Sequence, residues 1–242
     1  NIENGKVIEN GYYEMSDTLA LVRKDDTQTA DFIREKFAMP HQIVTIDESS
    51  VLIVDDRQRR WRLPLGDENY TKLIGQDVVR ICREVATERD LFNCHGTFYE
   101  LPAENADGYA KIRPIASHNF RINDYASYRG MLVMTGIDPK KDKDNEHIIV
   151  SEDGKAAVWA GAIDDLWSMG KPTGKGGPWK NTLVKAGEVS DPYLIGFYDK
   201  KNLTLSHNSQ KDVTFTIEID PTGNGKWVNY TTLTVKPEEK LA

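Results

Sequence analysis

Two histidines and two arginines crowd into positions 95 to 121, and by type these side chains are well suited to chemistry. His95 sits in Asn93-Cys94-His95-Gly96, at a turn ahead of an aromatic run. His118 sits in Ser117-His118-Asn119, between Arg113-Pro114 and Arg121. An imidazole titrates near neutrality and can act as general acid or base. A guanidinium fork matches the geometry of a carboxylate. The four could therefore converge on a carboxylate-bearing sugar. A plainer alternative stays open, in which the imidazoles bond to nearby backbone carbonyls and the arginines make polar contacts between structural repeats.

Acids and indoles point the same way. Asp164-Asp165 lies in VWAGAIDDLWSMGKPTGKGGPW, which holds Trp159, Trp167 and Trp179, three of the five tryptophans. An indole face stacks on a sugar ring and keeps a polar N–H at its edge. Glycoside hydrolysis needs a carboxylic acid and a carboxylate about 5–10 Å apart across the scissile bond. Adjacent residues on a strand face opposite ways, so neither Asp55-Asp56 nor Asp164-Asp165 supplies both roles alone. Asp164 or Asp165 would need Glu152, Asp153 or Asp124 as partner. The alternatives are solvated acids, a core tryptophan and a packed loop.

Other chemistries find little support. The five histidines (His41, His95, His118, His147, His207) show no HxH or HExxH spacing, so no metal site is expected. The run DPTGNGKW from Asp220 lacks the acidic alternation of a calcium loop and reads as a tight hairpin turn. No Walker loop, strand-following GxGxxG or GxSxG elbow is found, and no cofactor is expected. The net charge of -7 and pI near 5.3 argue against nucleic acid, which needs clustered Lys and Arg. No apolar run approaches the ~20 residues of a membrane span, so no membrane insertion is expected. Cys82 and Cys94 lie symmetrically about Glu88. A hairpin centred there would bring them face to face within bridging range. Buried free thiols are the alternative, and a Cys94–His95 thiolate is a weaker one.

The elements that must position these groups are short strands. Apolar or β-branched runs recur about every ten residues, separated by polar turns, with little helical periodicity. ADFIREKFAMP is the exception, an amphipathic turn or short helix stopped by Pro40. VLIVDDRQRRWRLP and DLFNCHGTFYELP align at Leu63-Pro64 and Leu101-Pro102, and HIIVSEDGKAAVWAG repeats their order of strand, turn and aromatic strand. Such repeats fit propeller blades. Beyond the Gly/Pro-rich KPTGKGGPWKNT, four strands are expected in DPYLIGFYD, KNLTLSH, DVTFTIEID and KWVNYTTLTV. Strict alternation at Val213, Phe215, Ile217 and Ile219 implies one buried face and one wet face.

The runs RDLFNCHGTFYELP, KIRPIASHNFRINDYASYRGMLVMTG and AIDDLWSMGKPTGKGGPWKNTLVKAGEVSDPYLIGFYDKKNLTLSH resemble the C-terminal part of large secreted bacterial β-propeller proteins. Proteins of that kind accompany polysaccharide degradation in Bacteroidetes-like bacteria. The resemblance covers positions 45–242 and brings no catalytic motif with it. It implies a periplasmic or secreted setting, and further blades supplied by sequence outside this chain. The expectation is thus an all-β chain, with β-propeller-like repeats of short antiparallel strands at 1–185 and a small β-sandwich-like module at 186–242. Its expected ligand is an oligosaccharide or polysaccharide. In the first reading it is glycoside hydrolase-like: His95, His118, Asp164 and Asp165 act, while Arg113, Arg121, Trp159, Trp167 and Trp179 bind. The alternatives are a non-catalytic glycan-binding protein and a protein-interaction platform.

Overall fold

The computed structural model describes residues 2–3, 6–7, 11–36, 44–67, 79–84, 89–102, 108–120, 122, 124–141 and 144–242. β1 (Ile2–Glu3) pairs with β2 (Lys6–Val7), and β3 (Tyr12–Met15) with β4 (Leu21–Lys24). The run GYYEMSDTLALVRK is therefore a hairpin. It turns at Ser16, whose carbonyl accepts the Leu19 N–H at 3.0 Å. Helix α1 (Thr27–Lys36) follows. It begins three residues ahead of the expected segment because Asp26 caps it, accepting the Thr29 N–H at 2.9 Å and the Thr29 hydroxyl at 2.7 Å.

Three larger sheets come next, all antiparallel. The first holds β5 (Val44–Ile46), β6 (Val51–Val54) and β7 (Arg60–Leu63). The second is a meander of β8 (Val79–Glu84), β9 (Arg89–Cys94), β10 (Thr97–Glu100) and β11 (Arg113–Ser117). The third contains β12 (Tyr125–Tyr128), β13 (Met131–Met134), β14 (Ile148–Val150) and β15 (Ala157–Gly161), in the order β12-β13-β15-β14. A 3₁₀ turn, Ile163–Ser168, follows it.

The second sheet is packed on both faces. Because side chains alternate along a strand, Leu91 and Phe98 join Leu132, Met134 and Trp159 in one core, against the third sheet. Their neighbours Phe92, Cys94 and Tyr99 join Val51, Ile53 and Leu63 in another, against the first sheet. Each fully buried Leu, Phe or Ile contributes roughly 1.5–3 kcal/mol. Tyr125 pins the third sheet to the second: its hydroxyl donates to the Leu91 carbonyl at 2.8 Å and accepts the Asn93 N–H at 3.1 Å.

The all-β expectation holds, but the expected propeller does not form: among the described residues no set of sheets closes into a barrel or ring. The three repeat segments are real hairpins (β6–β7, β9–β10 and β14–β15), yet they are not equivalent. The second supplies the middle strands of its sheet, while the third has β14 at an edge. A local pattern fixes a hairpin but not its place in a sheet.

Of the four C-terminal segments expected as strands, three hold strands, and a short fourth strand lies at Lys240–Leu241. β16 (Leu205–Ser206) pairs with β19 (Lys240–Leu241), and β17 (Val213–Ile219) with β18 (Val228–Val235), as two separate ribbons. Val213, Phe215, Ile217 and Ile219 are half-buried on one face of β17, as the alternation implies. In the turn that follows, the Asp220 carboxylate accepts the N–H groups of Thr222, Asn224 and Gly225. DPYLIGFYD forms only a single bridge, Tyr193 to Arg62, since Pro192 has no N–H to extend a ladder. The cysteines are out of register: Cys82 faces Leu91 and Cys94 faces Val79, which offsets the pair by three positions. Cys94 is a buried free thiol.

Candidate functional site

His95 and Gly96 are the two turn residues of the β9–β10 hairpin, at φ 50° and 78°. Those angles suit the type I′ turn that matches strand twist, so the site needs a residue tolerant of positive φ followed by glycine. The turn is not a loop mouth. His95 is fully buried, and its Nδ1 accepts the Gly66 N–H at 3.0 Å. Burial holds its pKa below the ordinary value. His118 is buried as well, with Nε2 2.8 Å from Asn93 Oδ1 and its ring 4.9 Å from that of Phe98. Burial pushes its pKa down to about 3. Such a ring is neutral near pH 7 and too weak a base to draw a proton from water.

Arg113 donates to Glu100 at 2.8 Å and lies 5.8 Å from the Phe197 ring, while Arg121 lies outside the described residues. Asp164 and Asp165 stand on the 3₁₀ turn, where Asp165 Oδ2 accepts the Ala162 N–H at 2.7 Å and so caps it. Of their expected partners, Asp124 accepts the Tyr125 N–H at 2.7 Å. Asp153 accepts hydrogen bonds from Ser151, Tyr13 and Arg23, led by Ser151, and its pKa falls to about 2. Trp159 is core, stacked on His147 at 4.9 Å. Trp167 is exposed on the 3₁₀ turn. Of the sequence-derived residues, Trp179 alone lines an open cleft beside strand β7.

That cleft, about 710 Å³, is built from three elements. The β5–β6 turn gives one wall. There Asp47 Oδ1 accepts the N–H groups of Ser49 (2.8 Å) and Ser50 (2.9 Å), a side-chain-closed turn encoded in Asp47-Glu48-Ser49-Ser50. Strand β7 gives the floor: Arg60 and Arg62 are two apart and share a face. The segment 170–194 gives the other wall. Its Gly/Pro-rich sequence reads as linker, yet it is strapped down. Leu65 and Lys175 exchange two backbone bonds of 2.8 Å, the Gly177 N–H donates to Ser49 O, and Arg62 pairs with Pro192 and Leu194. At Gly176, with φ 125°, a Cβ would lie 2.1 Å from the Ser49 carbonyl oxygen.

Arg62 joins all three elements. Its Nη1 donates to Asp47 (2.9 Å), Ser49 Oγ (3.0 Å) and Ser50 Oγ (2.8 Å), and its Nε to Asp191 (2.9 Å). Arg60 forks onto the same Asp191 at 2.8 and 3.2 Å. Burial alone would raise both carboxyl pKa values. The opposing bonds win: those from Ser49, Arg62 and Ser50 at Asp47, and those from Arg60 and Arg62 at Asp191. Both acids are held below the usual carboxylate range. Arg62 thus bonds to two carboxylates at once. Neither, however, has the raised pKa of a general acid. The arrangement suits hydrogen bonding to a polar ligand, with Trp179 as an apolar surface beside it.

Sequence reasoning missed Asp47, Arg60, Arg62 and Asp191. The alternation Arg60-Trp61-Arg62 and the Asp-x-Ser-Ser turn were visible signals. Nothing local tied Asp191 to Arg62, 129 positions away. The chain matches no family model, no curated protein and no solved structure.

Proposed function

We propose that this chain is a non-catalytic glycan-binding protein whose ligand docks in the cleft between β7 and the 170–194 strap. The observation that carries the reading is the pairing of Trp179 with ionised carboxylates and guanidinium groups in one open cleft. Sugars present just these needs: an apolar ring face for stacking, and hydroxyls that both donate and accept. A cleft of this volume is large enough for a ligand of a few sugar rings. The resemblance to secreted bacterial proteins that accompany polysaccharide degradation supports the same reading, with a periplasmic or secreted setting.

The test is affinity electrophoresis and calorimetry against a panel of polysaccharides, with product analysis on the same mixtures. Trp179→Ala is expected to weaken binding at least tenfold, while Trp167→Ala, outside the cleft, leaves it unchanged. Failure of every glycan to bind removes the proposal. Release of reducing ends by the wild type would restore a hydrolase.

A further inference from the structure

Resting on the glycan reading, we infer that the cleft selects neutral, hydroxyl-rich glycans and rejects uronic or sulfated ones. The reason is that its two guanidinium groups are already matched by the protein's own acids. Arg60 spends its fork on Asp191, and Arg62 spends Nε on Asp191 and Nη1 on Asp47, Ser49 and Ser50. A carboxylate or sulfate on the ligand would have to displace one of these bonds to reach a guanidinium. Arg62 is also poorly placed to swing toward a ligand, its side chain being only 11% exposed.

The charge of the walls acts in the same direction. The lining acids Asp47, Glu48, Glu188 and Asp191 outnumber the bases Arg60, Arg62 and Lys180 by one. An anionic sugar therefore meets a slightly repulsive surface, whereas a neutral one is indifferent to it. A neutral sugar can instead use what the network leaves over. Each ionised carboxylate has about four lone-pair sites, more than Arg60 and Arg62 fill at Asp191. Ligand hydroxyls donating to such oxygens make charge-assisted hydrogen bonds. Trp179 supplies the stacking face between the acids of the β5–β6 turn and those of the strap. The cleft thus takes up hydroxyl donors and offers few uncommitted cations.

The experiment compares neutral polysaccharides (mixed-linkage β-glucan, xylan, galactomannan) with acidic ones (polygalacturonate, alginate, chondroitin sulfate). Dissociation constants for the intact protein are measured by calorimetry at 20 and 300 mM NaCl. The expected result is that at least one neutral polymer binds, with less than a twofold change between the two salts. All acidic polymers should bind at least tenfold more weakly. A double variant, Glu48→Gln with Glu188→Gln, avoids Arg60 and Arg62 and turns the lining to one net positive charge. It should gain affinity for an acidic polymer at 20 mM NaCl, and the gain should shrink at 300 mM NaCl. A wild type that prefers an acidic polymer, with affinity falling at 300 mM NaCl, overturns this inference and leaves the glycan reading standing. Binding of no polymer in the panel overturns the glycan reading and this inference with it.

Discussion

Lowering the pH from 7.5 to 5 should destabilise the fold by about 2 kcal/mol through His118 alone. The folded-state pKa is about 3, set by burial of the ring, against about 6.5 in the unfolded chain. A depressed folded pKa means that the unfolded state takes up the proton first. The contribution is therefore fully present above about pH 6.5 and is lost as pH falls towards 3, where the total reaches about 5 kcal/mol. Carboxyls with lowered values, such as Asp47, Asp153 and Asp191, add their own losses mainly below pH 5, so the window from 7.5 to 5 reports histidines. The assay is urea unfolding followed by tryptophan fluorescence at both pH values, in wild type and His118→Gln. The variant is less stable at pH 7.5, because it loses the ring packed on Phe98, but its stability should fall by far less between the two pH values. His95 is also lowered by burial, and His95→Asn separates its share while keeping a residue that accepts positive φ. If His118→Gln keeps the full pH-dependent loss, His118 is not a buried neutral imidazole and the argument against its acid–base role collapses.

Three further outcomes follow from the same geometry. Gly176→Ala, at φ 125° and facing Ser49 O at 2.1 Å, should cost at least about 2 kcal/mol. Gly187→Ala, at φ 79° with nothing within 4 Å, should cost about 1 kcal/mol; thermal melts of the two distinguish clash from backbone strain. Arg62→Met removes one of the two arginines on Asp191 and the arginine on Asp47 and should cost about 1–3 kcal/mol, with faster amide hydrogen exchange at Leu194, whose N–H donates to Arg62 O at 2.9 Å. Cys94 is buried, and burial pushes its thiol pKa up, so it should ignore a disulfide reagent in the native state and react only at the rate of unfolding.

Much of the strand content was legible in the sequence. Val51–Val54 is a continuous apolar run and Val213, Phe215, Ile217 and Ile219 a period-two alternation, and they became β6 and β17. Leu63-Pro64 and Leu101-Pro102 marked the ends of real hairpins. The site was far less legible. His95 and His118 looked reactive because imidazoles at turns are usually solvated, yet the turn holding His95 is sealed, with the His95 carbonyl pressed close to Gly66. Asp165 looked like half of a catalytic pair and is a cap. Trp159 and Trp179 share a short span, but one is core and the other lines the cleft.

The sequence by itself determined the period of the strands, the turns between them and the capping chemistry of Asp26, Asp47 and Asp220. Each depends on residues a few positions apart. Only the tertiary structure decided that β8–β11 would be covered on both faces, which turned two histidines into neutral core groups. It also decided that segment 170–194 would fold back over β7 and bring Asp191 to Arg60 and Arg62. Burial and long-range pairing depend on which sheets stack, and no pattern within one strand carries that information.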